Sequence, residues 1–205
     1  GGVGIFGHVQ TRPEDRRKGA CTSLMGLQMA DFRSRGGKAL FLATRFDSAA
    51  YHIYASHGFR SIAEKAGEME YYTSSREEFE AEYFAGDRAE IQPAAWPHWP
   101  ASPALFMGDF PGVVRCLPMK IIGRASTEGG FLRVLRSQEA GLEKGEPPRA
   151  QALVNVRTTA VAGLAVWDWH PLWPGVCLAD VYCHPRSWNR AAALLLDRQL
   201  TARVR

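Results

Sequence analysis

Cysteine is scarce: Cys21, Cys116, Cys177 and Cys183 are the four in 205 residues, and no two stand as a CxxC pair. That spacing offers neither a disulfide framework nor a zinc knuckle. Long apolar runs are missing too. None approaches the roughly 20 residues that a membrane helix needs, and the N-terminus lacks the charged-then-apolar pattern of a secretory signal. The expectation is a soluble protein of a reducing, cytoplasmic compartment that does not enter a membrane. A charge excess of one sign is also lacking along most of the chain. The net charge is +4, yet residues 1–73 carry 10 basic and 7 acidic side chains, residues 74–110 carry 2 and 7, and residues 111–205 carry 13 and 7. An acidic middle between two mildly basic ends is no continuous basic stripe, so nucleic acid is not an expected partner, while a local anionic ligand is compatible.

What is present is the composition of a folded chain, 46% hydrophobic and 22% charged, long enough for one large or two small domains. Residues 4–11 (GIFGHVQT) read as a short strand, TRPEDRRKG as a loop, and about Ala20 to Arg35 as a helix that Gly36 and Gly37 stop. Cys21, Leu24, Met25, Gln28 and Phe32 recur at intervals of three and four and give that helix one mostly apolar face. KALFLAT (38–44) has the apolar run of a buried strand. Asp47 is placed to cap a short helix reaching about Ser56, which Gly58 stops. FRSIAE and GEMEYYT read as two further strands that close this unit near Thr73. Strand, helix, strand, helix is an α/β order, here with a mixed sheet.

Residues 74–88 read as an acidic, partly helical connector, and 89–205 as a second segment. It opens with a short strand, Glu90–Pro93, passes through loop and helical material to about Gly141, and turns at GLEKGEPPRA. Three strands come next: QALVNVRT, VAGLAVWDW and GVCLADVYC. In the middle one Val161, Gly163, Ala165, Trp167 and Trp169 alternate with Ala162, Leu164, Val166 and Asp168, the period of a strand. A closing helix would place Ala193, Leu196, Leu200 and Val204 on one face. The two segments share a pattern. TRPEDRRKGACTSLM (11–25) and CHPRSWNRAAALLLD (183–197) each carry a strand, a Pro in third place, a short basic loop and an apolar helix, with Pro13 matching Pro185. The expected organisation is the C-terminal half of one repeat at 1–73, the connector, and an incomplete, degenerate second repeat at 89–205.

The chemistry concentrates in Arg16-Arg17-Lys18-Gly19-Ala20-Cys21, between a strand and a helix. A helix start leaves backbone N–H groups without partners, the helix dipole adds partial positive charge, and flanking Arg and Lys add whole charges, which suits a pyrophosphate. Gly19 lets an anion approach the backbone closely. A second motif, D47-S-A-A50-Y-H-I53-Y54-A-S-H-G58-F59, stands after the next strand.

Together the two motifs resemble the GNAT superfamily of acyl-CoA N-acyltransferases, whose pyrophosphate loop reads P-x-x-[RQ]-x-x-G-x-[GA] and whose later helix reads N-x-x-A-x-x-[LI]-Y-x-x-x-G-F. Pro13, Arg16 and Gly19 match the first, with Cys21 in place of Gly or Ala; Ala50, Ile53, Tyr54, Gly58 and Phe59 match the second, with Asp47 in place of Asn. The resemblance covers residues 5–73 well. It implies acetyl-CoA as co-substrate, with the pantetheine arm bonded to backbone along His8 to Thr11, Val9 and Thr11 included. It implies the pyrophosphate on the backbone of Arg16, Arg17, Lys18, Gly19, Ala20 and Cys21, Asp47 and Tyr54 beside the coenzyme, and Tyr54 as the acid that protonates the leaving thiolate. The partner it implies is a small-molecule or peptide amine acceptor, with pairing between repeats or subunits. It also implies that the chain starts at the fourth strand of one repeat and stops after the third helix of the next.

Each residue has a second reading. Tyr54 on an apolar helix face is equally a core residue, Cys21 a small packing residue as well as a thiol at a helix start, and His8 a hydrogen-bonded structural side chain as well as a base. Where the first repeat has Arg16, Gly19 and Cys21, the second has Trp188, Ala191 and Ala193. That obstructs close approach to the backbone and removes one charge, so the second repeat is expected to be structural or to shape the acceptor pocket. Trp167, Trp169, Trp173 and Trp188 read as core. Cys177, Cys183, His184 and Asp180 are scattered, with the two cysteines on one strand face and Asp180 on the other, and no metal site is expected.

Overall fold

The computed structural model describes residues 2–86 and 88–189. The chain divides into two compact units, Gly1–Phe79 and Glu80–Arg205, and the architecture is a mixed α/β one with separate sheets.

In the first unit β1 (Val3–Ile5), α1 (Ala20–Ser34), β2 (Ala39–Ala43), α2 (Ala49–Ser56), β3 (Arg60–Ser61) and β4 (Glu68–Tyr72) succeed one another. The sheet order is β1-β2-β4-β3. β1 runs parallel to β2, which requires a crossover, and α1 supplies it; β4 is antiparallel to both β2 and β3. The core is built from Met25 and Met29 of α1, Leu40 and Leu42 of β2, Tyr54 of α2, Phe59 and Met69. The expected helix stop operates through Gly36 at φ 73, with the amides of Gly36 and Gly37 donating to the carbonyls of Arg33 and Phe32 at 3.0 and 2.9 Å.

Three expectations are corrected here. The strand over 4–11 is cut short: β1 ends at Ile5, and the backbone turns through a positive φ of 56 at His8. The buried stripe of α1 is Met25 and Met29 flanked by half-buried Cys21 and Phe32, whereas Leu24 and Gln28 are exposed. Phe32 and Met29 are three apart and Met25 and Cys21 four apart, so the helix rolls its methionines, not Leu24, onto the sheet. The cap of α2 is Ser48, whose Oγ accepts from the amide of Tyr51 at 3.2 Å. Asp47 precedes it at φ 57 and turns its carboxylate to His52 instead.

The acidic connector contains α3 (Arg76–Tyr83), opened by Ser75 and Glu78, each bonded to the other's backbone amide. Arg76 pairs with the buried carboxylate of Glu70 on β4.

The second unit comprises β5 (Ala89–Pro93), α4 (Pro103–Phe106), a short hairpin of β6 (Arg115–Cys116) and β7 (Ile121–Ile122), α5 (Glu128–Leu142), β8 (Ala150–Asn155), β9 (Val161–Trp169) and β10 (Cys177–Cys183). Its sheet runs β10-β9-β8-β5, antiparallel throughout. Gln138 of α5 ties helix to sheet, donating to the Ala94 carbonyl at 2.6 Å and accepting from the Ala150 amide at 2.9 Å. The hairpin β6–β7 was not legible, because two-residue strands carry no period. The alternation read in β9 does not separate an inner from an outer face: residues 161–167 are all buried. The tryptophan cluster is not core as a set. Trp167 is buried, while Trp169, Trp173 and Trp188 are exposed. Residues 185–189 are helical; the helix face at Ala193, Leu196, Leu200 and Val204, and the position of Ala191, lie outside the described residues.

Candidate functional site

The first unit holds a cavity of about 490 Å³ that three stretches of chain enclose: residues 9–11, the loop 15–22, and the first two turns of α2. That volume is within the range of small-molecule pockets. Its origin lies in the way β1 leaves the sheet. The amide of Phe6 donates to the Phe41 carbonyl at 2.8 Å. Beyond it His8 takes up φ 56, and the segment Gly7–Thr11 is no longer in a strand. The backbone thereby diverges from β2, and Val9 returns to pack against the core.

The loop then folds back. Pro13–Asp15 make one 3-10 turn, and Arg16 donates its Nε to the Thr11 carbonyl at 3.2 Å, tying loop to segment. Gly19 at φ 80 starts α1 with no side-chain cap, and the first helical amide with a backbone acceptor is that of Ser23, bonded to the Gly19 carbonyl at 3.0 Å. The amides of Ala20, Cys21 and Thr22 therefore have no acceptor within the helix, and all three residues line the cavity. Unsatisfied N–H groups, the positive end of a helix dipole and Arg16 and Arg17 converge on one space, an arrangement that holds an anion.

The opposite wall is α2. Ala49 and Ala50 leave room by being small, and Ile53 and Tyr54 complete the lining. Tyr54 is only 8% exposed, its ring 6.0 Å from both Phe6, edge to face, and Phe59. It is thus a core side chain and a cavity wall at once.

Of the expected site residues, Val9, Thr11, Arg16, Arg17, Gly19, Ala20, Cys21 and Tyr54 line this cavity. Lys18 does not: its ammonium is 3.0 Å from the Asp15 carboxylate, and it lines a neighbouring groove that also takes in His8. Asp47 also lies outside the lining, 2.9 Å from His52 Nε2 on the exposed side of α2. Gln10, Asp15, Thr22 and Ala49 belong to the lining without having been singled out. Thr22 had a signal, being the third helical residue after Gly19, and Gln10 lies within the stretch His8 to Thr11; Asp15 and Ala49 had none.

In the second unit, Asp180 is buried and fully engaged, accepting from Arg115 Nε at 2.8 Å and from the Leu117 amide at 2.7 Å. Among the described residues no group of His, Cys, Asp and Glu could hold a metal ion, and no helix is long and apolar enough to cross a membrane. No protein-family model matches the chain, and no curated protein matches it.

Proposed function

We propose that this chain binds an acyl-coenzyme A through its first unit and belongs to the machinery of a GNAT-type N-acetyltransferase, with acetyl-CoA as donor and an amine as acceptor. The observation that carries the reading is the single cavity that brings both sequence motifs together, the anion-holding start of α1 on one wall and Ile53 and Tyr54 of α2 on another. The gap left where β1 departs from β2 suits an extended arm bonded to backbone groups, and the amides of Ala20 to Thr22 suit a pyrophosphate. In the reaction the acceptor nitrogen attacks the thioester carbonyl, the carbon–sulfur bond breaks, and the thiolate takes a proton, for which the Tyr54 phenol is the candidate donor. The strand order β5-β8-β9-β10 with α4 and α5 between the first two supports reading the second unit as the front part of a further repeat.

Calorimetric titration of the folded chain with acetyl-CoA tests the reading. Saturable binding below about millimolar concentration is expected, and the absence of any binding there, with folding verified by circular dichroism, sinks it.

A second reading, a non-catalytic acyl-CoA-binding module, draws on the burial of Tyr54 between Phe6 and Phe59. Tyr54→Phe separates the two. As a general acid, Tyr54 accounts for about 10²–10⁴ in turnover; a variant that acetylates an amine at the unaltered rate removes the acid role, and a chain that binds acetyl-CoA yet acetylates no amine is the binding module.

A further inference from the structure

We propose that Arg17 recognises the 3′-phosphate of the coenzyme, so that the cavity distinguishes coenzyme A from its dephospho form; this rests on the acyl-CoA reading. The loop has three adjacent cations, and two of them have partners within the loop or beside it. Arg16 gives its Nε to the Thr11 carbonyl at 3.2 Å, and Lys18 is held by Asp15 at 3.0 Å. Arg17 makes no hydrogen bond or ion pair among the described residues, lines the cavity, and is exposed. Its backbone sits at φ 61, a region that side chains with a Cβ seldom occupy.

The chemistry of the coenzyme divides to match. Its pyrophosphate consists of two singly charged groups, which neutral amides and a helix dipole hold well. Its 3′-phosphate is a monoester whose second proton leaves with a pKa of about 6, so it is nearly a dianion at neutral pH. Such a group favours a whole charge presented as a planar fork. The amides are those of Ala20 to Thr22 at the helix start, whereas Arg17 stands ahead of Gly19, outside the helix and in contact with solvent. It is the loop cation with no partner among the described residues, and the 3′-phosphate is assigned to it while the amides hold the pyrophosphate.

Calorimetric titration of the complete chain with coenzyme A and with dephospho-coenzyme A, repeated for Arg17→Asn and Arg17→Gly, tests this. Both replacements accept a positive φ, and circular dichroism reports whether each has folded. The unaltered chain is expected to bind coenzyme A on the order of tenfold tighter than the dephospho form, and the ratio should fall below about twofold in both variants through loss of coenzyme A affinity alone. An equal loss for both ligands assigns Arg17 to the pyrophosphate and overturns the proposal. So does a ratio near one in the unaltered chain, or a ratio the variants leave unchanged. Binding of neither ligand by the folded, unaltered chain overturns the acyl-CoA reading itself, which keeps the two failures apart.

Discussion

Gly19 and Arg17 share the left-handed region of the backbone, at φ 80 and φ 61, but only Gly19 is there without penalty. A Cβ at Gly19 would meet nothing within 4 Å, so the effect of Gly19→Ala is conformational, not steric. The variant is expected to lose about 1 kcal/mol of stability, measured by urea unfolding. It should also weaken acetyl-CoA binding in calorimetry, because the methyl stands at the start of α1 where an anion would approach. At this scale the sequence was informative wherever a residue type is tied to a backbone state, as with Pro13 and Gly19. It was less so at Asp47 and Ser48, two adjacent residues of equal capping ability. The turn at φ 57 gave the cap to Ser48 and sent Asp47 to His52.

At the scale of the element, α1 was legible in extent but not in orientation. Both Leu24 and Met25 satisfy the helical period, yet Leu24 is 51% exposed and Met25 1%. Met25→Ala is expected to cost about 2–5 kcal/mol, as a large-to-small change in a closed core does, while Leu24→Ala should stay within about 0.5 kcal/mol. Equal losses from the two in urea unfolding would contradict the packing described. β9 shows the complementary difficulty. Its residues alternate in kind, but it is a central strand whose residues 161–167 are all buried, and alternation reports facing only when one side meets water. The early end of β1 had a local sign, since Gly7 and His8 come soon after it, but the gap it opens also needs β2, which stays paired with β4 to Ala43 after its pairing with β1 ends at Phe41.

At the scale of the whole molecule, the six tryptophans all fall within residues 80–205, so their fluorescence reports the second unit. His184 gives that unit a pH dependence. Its ring stacks on Phe84 at 4.3 Å, meets Phe110 edge-on at 4.5 Å, and accepts from the Arg186 amide at Nδ1. Burial, and then the charge of Arg186, push its pKa down to about 4. An unfolded His titrates near 6.5. Between these values the unfolded chain holds a proton that the folded one lacks. Stability is therefore complete above about pH 6.5 and declines as pH falls toward about 4, by on the order of 2 kcal/mol once partial solvent access is allowed for. Tryptophan-monitored urea unfolding across that range should show the decline, and His184→Asn, which keeps an acceptor but does not titrate there, should lessen it, the remainder belonging to His98, whose pKa burial also lowers.

The sequence alone determined the features that near neighbours set: the order of strands and helices in the first unit, the stop at Gly36 and Gly37, and a basic loop ahead of a helix with an apolar helix after the next strand. Backbone propensity and local hydrogen bonding govern these, and both act over a few residues. Only the tertiary structure decided that the loop and α2 face one another across a single cavity, and that Tyr54 belongs to both core and cavity. These depend on where β1 leaves the sheet and on how α1 rolls against it, and both are settled by close packing of distant side chains.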